Sequence, residues 1–527
     1  MNMRNQWPVL PIMAGLASGL LTGCGSQTGG PGGDGSSMVL GMSDDVLATD
    51  PASGYDPGSW MLFNNVFQSL LSFPKGGTEP EPDAAKECSF TDTRAKVYRC
   101  TLKDGLKFSN GDALTSEDVK FSFDRMLKIN DDSGPAIMFP MLDKVETPDA
   151  ETVVFRLKVS DATFPSKIAS GAGSIVDHRE YAPDDLREDG GAVGSGPYRL
   201  DSFGDDEAVF TVNENYRGSA DTPQNTGVIL RFFGGDQKAL KKALVSGDID
   251  LAYRGLTATD IADIDESTND SGPEVVEGSS AEVQHLVFNT ADPVAGRLGV
   301  RKAIAYLVDR EALVRDVYQG TADPLYSIVP AGIAGHSTAF FDQYGSSPSR
   351  TEAAAALQAE GITGRVKLTL WSTPTRYGPA TDQELKAIAA QLNASGLFTA
   401  DVKSVAYGQY EKDIAAGKYG VYVKGWVPDY PDADNFTAPF FGDGNVLGNN
   451  YTNTAITGTL IPRTAAQSDR SATDKDYARI QEIVAQELPV LPIWQAKQYA
   501  VVGEHVYGVE NCLDASTVFR FWELSKD

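Results

Sequence analysis

A short aromatic and acidic stretch carries the side chains best suited to contact a ligand. Residues 425–436 read GWVPDYPDADNF. Its two prolines lack the N–H that a helix or a sheet needs, and each restricts the residue before it, so the stretch is predicted to be a stiff, irregular loop. Such a loop can present Trp426, Asp429 and Tyr430 to a ligand. The alternative is a solvated acidic loop whose Trp packs on a core.

Signatures of catalysis are absent from the sequence. It contains no Gly-x-Ser-x-Gly elbow, no P-loop, no His-Glu-x-x-His and no Gly-x-Gly-x-x-Gly. Ser195 lies between two glycines, but no histidine is near it in the sequence. The sequence therefore favours a protein without catalytic turnover. An exported hydrolase that uses Ser195, or an acid pair such as Asp429 and Asp432, is the rival hypothesis.

A metal site has little support. Asp429, Asp432 and Asp434 offer oxygen ligands to a hard cation, but their spacing lacks the glycine and the distal glutamate of a calcium loop. The histidines are scattered and show no metal-ligand spacing; they are His178, His285, His336 and His505. We therefore predict no metal and no cofactor.

Strands and helices alternate around the aromatic and acidic stretch. Residues 366–371 predict a strand, 383–393 a helix and 402–405 the next strand, a unit typical of a mixed α/β sheet. One long helix is predicted from the apolar stripe between Val300 and Val317.

The first half of the chain shows similar signals. A helix is predicted from Ser59 to the proline at Pro74, and a capping box at residues 115–118 begins another. The glycines and proline of residues 194–198 interrupt the pattern, and we place a domain crossing there, although a simple tight turn is the alternative.

Length and charge limit the classes of function. The chain has 527 residues, which predicts two or three domains, and a net charge of −27. This charge argues against nucleic acid and against an anionic membrane as the partner of the folded body.

The N-terminus predicts export. An apolar run at residues 9–21 is too short and too rich in glycine to span a membrane comfortably, and it ends in Leu-Thr-Gly-Cys24. This ending resembles a bacterial lipobox, so we assign residues 1–23 to a lipoprotein signal peptide and 24–37 to a flexible tether. Lipid on Cys24 would anchor the protein to a membrane. An ordinary signal peptide with an incidental cysteine is the alternative.

Three further cysteines follow. Cys88 and Cys100 flank a short hairpin-like segment, and in an exported protein this arrangement predicts a disulfide. Cys512 is then left over and is expected to be buried. A metal site is the alternative for these cysteines.

Several motifs occur together in the order found in one family. The strongest patch is KFSNGD at residues 107–112, followed by EDVKFSFDR at 117–125. Supporting patches are GSGPY at 194–198, FN at 288–289 with VRKAI at 300–304, the stretch at 425–436, and LPVLPIW at 488–494. With them, the mature chain resembles the solute-binding proteins of family 5, the dipeptide, oligopeptide and nickel binders of ABC importers.

The resemblance implies an α/β clamshell of two lobes, of type II and cluster C, with an extra inserted domain. Lobe I would comprise residues 38–74, 195–282 and 503–527. The inserted subdomain would be 75–194, and lobe II 283–502. A ligand would be enclosed between lobes that close about a hinge.

The resemblance also implies roles for side chains. Asp429 stands in the family's Trp-x-x-Asp position and matches the acid that pairs with a peptide α-amine; an acid that orders its own loop is the alternative. Arg376 is the candidate for the ligand carboxylate, and a surface arginine is the alternative. Trp426, Trp371 and Tyr430 would line the cleft, although each could belong to a core. Many members have Asp-Pro where this chain has Asp432-Ala433.

The function implied is extracytoplasmic capture of di- or oligopeptides by a lipid-anchored monomer. The protein would deliver its ligand to a membrane permease driven by cytoplasmic ATPases. Nickel chelates, oligosaccharides, haem and antibiotic-like molecules are alternative ligands within the family. A structural surface protein that binds no ligand is a third class of function.

Overall fold

A computed structural model describes residues 37–266, 272–374 and 376–527. The predicted signal peptide, the predicted lipidation at Cys24 and all but the last residue of the predicted tether lie outside the described residues. The strands, in chain order, are β1 (Met38–Met42), β2 (Leu71–Ser72), β3 (Glu81–Pro82), β4 (Ala85–Phe90), β5 (Val97–Leu102), β6 (Leu142–Glu146), β7 (Thr152–Leu157), β8 (Tyr198–Phe203), β9 (Glu207–Val212), β10 (Gly227–Phe232), β11 (Leu251–Tyr253), β12 (Glu274–Phe288), β13 (Ala322–Pro324), β14 (Val366–Ser372), β15 (Phe398–Ser404), β16 (Val421–Trp426), β17 (Val490–Val502), β18 (Val506–Tyr507) and β19 (Ser525–Lys526).

The α-helices lie between these strands. In chain order they are α1 (Pro57–Val66), α2 (Ser116–Ile129), α3 (Phe164–Ile168), α4 (Gln237–Ser246), α5 (Ala258–Glu266), α6 (Leu298–Leu307), α7 (Arg310–Asp316), α8 (Ala339–Tyr344), α9 (Arg350–Ala359), α10 (Thr381–Ala394), α11 (Tyr407–Ala415), α12 (Ala438–Phe441), α13 (Ile461–Ala465) and α14 (Asp474–Glu487). In the part of the chain that the structure describes, none of the helices is long and apolar enough to cross a membrane.

The main sheet combines parallel and antiparallel strands. Its order is β15-β14-β16-β12-β17-β11-β1-β10-β9-β8, and β13 also pairs with β17. One end has β15, β14 and β16 in parallel, and β11, β1 and β10 are parallel on the other side of the long antiparallel pair β12–β17. A second sheet, β4-β5-β7-β6, is antiparallel. The predicted mixed α/β class is confirmed.

Three large groups of buried apolar side chains lie around these sheets. The terminal core comes from residues 38–67, 176–253 and 500–524. The middle core comes mainly from 70–175, and the large core from 281–494. The burial of so much apolar surface is the main term that stabilises such a chain.

Strands β12 and β17 connect two of these cores. On β12, Val276 packs against the terminal core and Ala281 lies in the large core. On β17, Trp494 lies in the large core and Ala500 in the terminal core. The pairing of β12 with β17 shifts register between Ser279 and Val283, so the ladder is irregular where the strands change cores.

Two helices differ from the sequence prediction. Helix α1 ends at Val66, well before Pro74, because Phe67 turns into the extended region (φ −107°, ψ 154°). The predicted long helix is split into α6 and α7. Val308 is extended, and the Asp309 carboxylate caps α7 by accepting a hydrogen bond from Ala312 N–H.

The stretch at residues 425–436 is more regular than predicted. Gly425 and Trp426 belong to β16, and Ala433–Phe436 forms a 3-10 turn. The backbone effects of the prolines are therefore confined to the segment between these two elements.

The cysteines follow their prediction. Cys88 and Cys100 form a disulfide and face each other on β4 and β5, with their Cα atoms 4.1 Å apart. Cys512 is free and buried. Burial raises the pKa of Cys512 to about 12, which keeps it a thiol at neutral pH.

Glu384 on α10 is a buried acid inside the large core. Its Oε2 accepts hydrogen bonds from Gln284 Nε2 (2.7 Å), from Trp494 Nε1 (2.7 Å) and from the Tyr318 hydroxyl. Within the described residues, its Oε1 has no hydrogen-bond partner. Burial raises the pKa of Glu384 to about 7, although the three donors oppose the shift.

Glu384→Gln is expected to change how stability depends on pH. Between the ordinary pKa of about 4.5 and the raised value of about 7, the folded protein keeps a proton that the unfolded chain releases. Glu384 therefore lowers the free energy of unfolding as pH rises through this window. We expect the free energy of unfolding of Glu384→Gln to match that of the wild type near pH 4 and to exceed it by about 2–3 kcal/mol near pH 8.

Urea unfolding of both proteins across this pH range tests the expectation. The exposed Glu504→Gln is the matched control and should leave the pH profile unchanged. A Glu384→Gln protein no more stable than the wild type near pH 8 would contradict the argument.

Candidate functional site

Asn435 organises the end of β16. Its Oδ1 accepts hydrogen bonds from Trp426 Nε1 (2.8 Å) and from the N–H of Asp429 (3.0 Å). Its Nδ2 donates to Asp429 Oδ2 (3.1 Å). The 3-10 turn therefore fixes the positions of both the indole and the carboxylate.

The Asp429 carboxylate is half-buried and has a second partner far away in sequence. Tyr55, in the loop before α1, donates its hydroxyl hydrogen bond to Asp429 Oδ1 at 2.5 Å. Burial raises the pKa of Asp429, and the bonds from Tyr55 and Asn435 and the charge of Lys167 oppose the shift. Asp429 therefore lies where a segment of the large core meets the chain leading into α1.

Two acids near Asp429 form ion pairs with basic side chains. Arg470 forms a two-pronged pair with Asp432 (2.7 and 2.8 Å). Lys167 pairs with Asp161 at 2.6 Å. Across the described residues, by contrast, Asp429 accepts hydrogen bonds only from the neutral groups of Tyr55 and Asn435.

Asp434 is held in another way. The Tyr430 hydroxyl donates to its Oδ2 at 3.2 Å. Burial and the neighbouring Asp432 raise the pKa of Asp434 to about 6. Asp434 is therefore buried within the loop and partly protonated at mildly acidic pH.

Tyr430 is packed within the protein. Its side chain is 5% exposed and belongs to the middle core. The Lys167 ammonium lies 5.7 Å from the centre of its ring, and Thr163 Oγ1 approaches its hydroxyl at 3.5 Å. The stretch that carries Asp429 is thus attached to the segment around α3.

Trp371 and Arg376 lie on the neighbouring strand β14 and the loop after it. Trp371 is half-buried and stacks on Tyr419, with ring centres 4.1 Å apart. Arg376 is exposed, and its guanidinium lies 5.0 Å from the centre of the Tyr407 ring. The adjacent Tyr377 reaches β16: a Cβ on Gly425 would lie 3.0 Å from its ring.

The structure thus brings Trp426, Asp429 and Tyr430 together in one cluster. For the residues described here, no hydrogen bond or ring contact joins Trp371 or Arg376 to Asp429.

The rival chemistries gain no support from geometry. The Ser195 hydroxyl is buried and, in the described ranges, has no hydrogen-bond partner that could act as a base. One acidic group that the sequence did not indicate, Asp118 with Asp177 and His178, has ligand atoms within 4.8 Å of one another. However, Arg179 pairs with Asp177 at 2.6 Å and Asp118 completes the capping box of α2, so these acids have structural roles.

Three residues of the cluster were missed by sequence reasoning. Asn435 lies within the stretch and was not singled out, although an Asn beside a Pro-rich acidic loop is a natural loop-ordering residue. Tyr55 and Lys167 come from distant segments, and nothing in their local sequence connects them with Asp429.

The chain is similar to proteins of one known family. The family model described as "Bacterial extracellular solute-binding proteins, family 5 Middle" matches residues 79–448. The "Probable D,D-dipeptide-binding periplasmic protein DdpA" of Escherichia coli (strain K12) is 26% identical over 503 residues, 93% of this chain and 94% of that protein. Heme-binding protein A of Haemophilus influenzae is 26% identical over 472 residues, 84% of each chain.

Solved structures show the same fold. The structure of HbpA2 from Haemophilus parasuis matches with a TM-score of 0.81 at 22% identity, covering 93% of this chain and 100% of that one. The chain has the mixed α/β fold of the cluster C periplasmic binding proteins over nearly its whole length. Because the family model matches most of the chain, the protein belongs to the family 5 bacterial extracellular solute-binding proteins, the non-enzymatic substrate-binding components of ABC importers.

Proposed function

We propose that this protein binds di- or oligopeptides and that Asp429 receives their α-ammonium group. The observation that carries the proposal is the half-buried Asp429 carboxylate, whose partners in the described part of the chain are neutral while Asp161 and Asp432 are paired with cations. A ligand ammonium would supply the missing charge, and a partly buried carboxylate left without a cationic partner is costly to the protein. The D,D-dipeptide-binding name of the E. coli relative agrees with this ligand class.

The lobes predicted from sequence are part of the proposal. Residues 38–74, 195–282 and 503–527 would form lobe I, 283–502 lobe II, and 75–194 the inserted subdomain. The division is supported by the separate terminal, large and middle cores. The irregular pairing of β12 with β17, where these strands change cores, would serve as the hinge.

The proposal includes further site residues. Arg376 would bind the ligand carboxylate: it is exposed, and among the described residues its guanidinium lies over the Tyr407 ring and no acid forms an ion pair with it. Trp426, Trp371 and Tyr430 would shape the cleft wall.

The setting of the function is also proposed. Lipid on Cys24 would anchor the protein at the outer face of the cytoplasmic membrane. The protein would act as a monomer and pass its ligand to the permease.

The ligand class can be tested with the purified wild-type protein. We expect trialanine, within a panel of di- and tripeptides, to raise the melting temperature, because mass action adds about 2.7 kcal/mol to the free energy of unfolding at a concentration a hundred times its dissociation constant. The N-acetylated form of each peptide has no ammonium for Asp429 and should bind at least about a hundredfold more weakly, as expected for an unpaired buried charge. Calorimetric titration of both forms measures the difference.

Haemin, a nickel–histidine chelate and an oligosaccharide complete the panel. Stabilisation by one of these, with no response to any peptide, would overturn the proposal. Equal affinity for the free and the N-acetylated peptides would overturn the role of Asp429.

A further inference from the structure

Tyr55 already forms a hydrogen bond to one oxygen of the Asp429 carboxylate, which the ligand would use. Its hydroxyl donates to Asp429 Oδ1 across 374 positions of sequence. Burial, and then the charge of Asp429, raise the pKa of Tyr55, so the phenol stays protonated and acts as the donor. This is a neutral donor in the place where the proposed function requires a cationic one.

The loop that carries Tyr55 is fixed to its own side of the molecule. The N–H groups of Ser53 and Gly54 bond to Asp50 O, forming a tight turn. A Cβ on Gly54 would lie 2.5 Å from the ring of Phe63 on α1, so the turn packs directly on that helix. The Tyr55 ring lies 5.7 Å from that of Trp60 on the same helix.

Asp429 is equally well fixed on the other side. Asn435 holds both its N–H and its Oδ2, and the strand before it, β16, is part of the large core. Neither partner can follow the other if the two sides separate. The hydrogen bond therefore exists only when the α1 loop and the stretch at residues 425–436 are close together.

We propose that Tyr55 is an internal occupant of the Asp429 site, which holds the ligand-free protein closed and is displaced by the ammonium group of an arriving ligand. The inference rests on the proposed role of Asp429 in ligand binding. It adds that a side chain of the protein itself, Tyr55, competes with the ligand for the Asp429 carboxylate.

The competition has a definite thermodynamic sign. A closed, ligand-free molecule cannot admit a ligand. The apparent affinity is therefore the intrinsic affinity multiplied by the fraction of molecules that are open. Hydrogen bonds to charged groups are the stronger class in proteins. Tyr430, which packs in the middle core, also holds the stretch at residues 425–436 in place. Removing the Tyr55 hydroxyl should therefore shift the empty protein towards the open form and tighten ligand binding by about three- to thirtyfold.

Tyr55→Phe is the test, because it removes one oxygen and keeps the ring against Trp60. Small-angle scattering of the ligand-free protein should show a larger radius of gyration for the variant than for the wild type. Calorimetric titration with trialanine should show tighter binding to the variant. Tyr419→Phe is the matched control: it removes a tyrosine–carboxylate bond at 2.9 Å from a residue of the large core to Asp413 on the nearby helix α11, and it should change neither measurement.

The outcomes separate this inference from the proposed function. An unchanged radius of gyration, or weaker trialanine binding, in Tyr55→Phe overturns the proposal that Tyr55 holds the empty protein closed, even if Asp429→Asn abolishes binding. A more open Tyr55→Phe protein, together with full affinity in Asp429→Asn, would leave Tyr55 as a contact that closes the empty protein, but would overturn both the assignment of Asp429 as the ammonium site and the competition between Tyr55 and the ligand.

Discussion

Replacing Asp429 by asparagine is expected to weaken the binding of a free-amine peptide by about a hundredfold or more. The substitution keeps the shape of the side chain and removes the negative charge. Its amide oxygen can still accept from Asn435 Nδ2, and its amide nitrogen can donate to the Tyr55 hydroxyl oxygen. An ammonium left in the closed site without its counter-charge costs about 2–5 kcal/mol. Calorimetric titration with trialanine measures the loss.

The same variant should remain folded. Because burial raises the pKa of Asp429, the ionised carboxylate is unfavourable in the ligand-free protein, and a neutral amide should leave the melting temperature unchanged or slightly higher. The control is Asp443→Asn, which removes an exposed acid and should not alter affinity. Equal trialanine affinity in Asp429→Asn and the wild type would falsify the role of Asp429 in binding.

The second large effect is expected at a buried ion pair. Arg125 on α2 donates to both oxygens of Asp50 (2.8 and 2.6 Å), and each side chain is 2% exposed. Arg125 also donates to the carbonyls of Ala182 and Asp185. Arg125→Leu leaves Asp50 charged and buried without its cation, which should lower the free energy of unfolding by about 3–5 kcal/mol.

Urea unfolding measures this loss against a surface pair. Arg156 and Glu146 form an ion pair at 2.8 Å with side chains that are 45% and 34% exposed. Solvent screens such a pair, so Arg156→Leu should cost less than about 1 kcal/mol. A similar loss of unfolding free energy in Arg125→Leu and Arg156→Leu would contradict the importance of burial at Arg125.

Patterns that depend on neighbours in sequence were the ones that could be predicted. The capping box of α2 is present, with Asp118 at its third position, and the strand–helix–strand unit is β14, α10 and β15. The sequence also identified the Trp426–Asp429 stretch, because its prolines and its crowding of aromatic and acidic residues are local features. The Cys88–Cys100 pairing needed only the short distance between the two residues and the prediction of export.

The remaining features depend on contacts between distant segments. The first residues of strand β12, from Glu274, pair with β17 more than two hundred positions away, and no local pattern specifies this contact. Tyr55 could not be linked to Asp429 for the same reason. Stacking of Trp371 on Tyr419 also follows from packing, and strand alternation alone does not specify it.

The composition of the terminal core determines the order in which the protein can be completed. Met38 and Leu524 are both buried in it, so this core closes a loop of nearly the whole chain. The large core uses one continuous stretch of chain that is synthesised before the final residues appear. Strand β1 can pair with β10 and β11 before the end of the chain is available, but the terminal core is complete only when residues 500–524 are added to it.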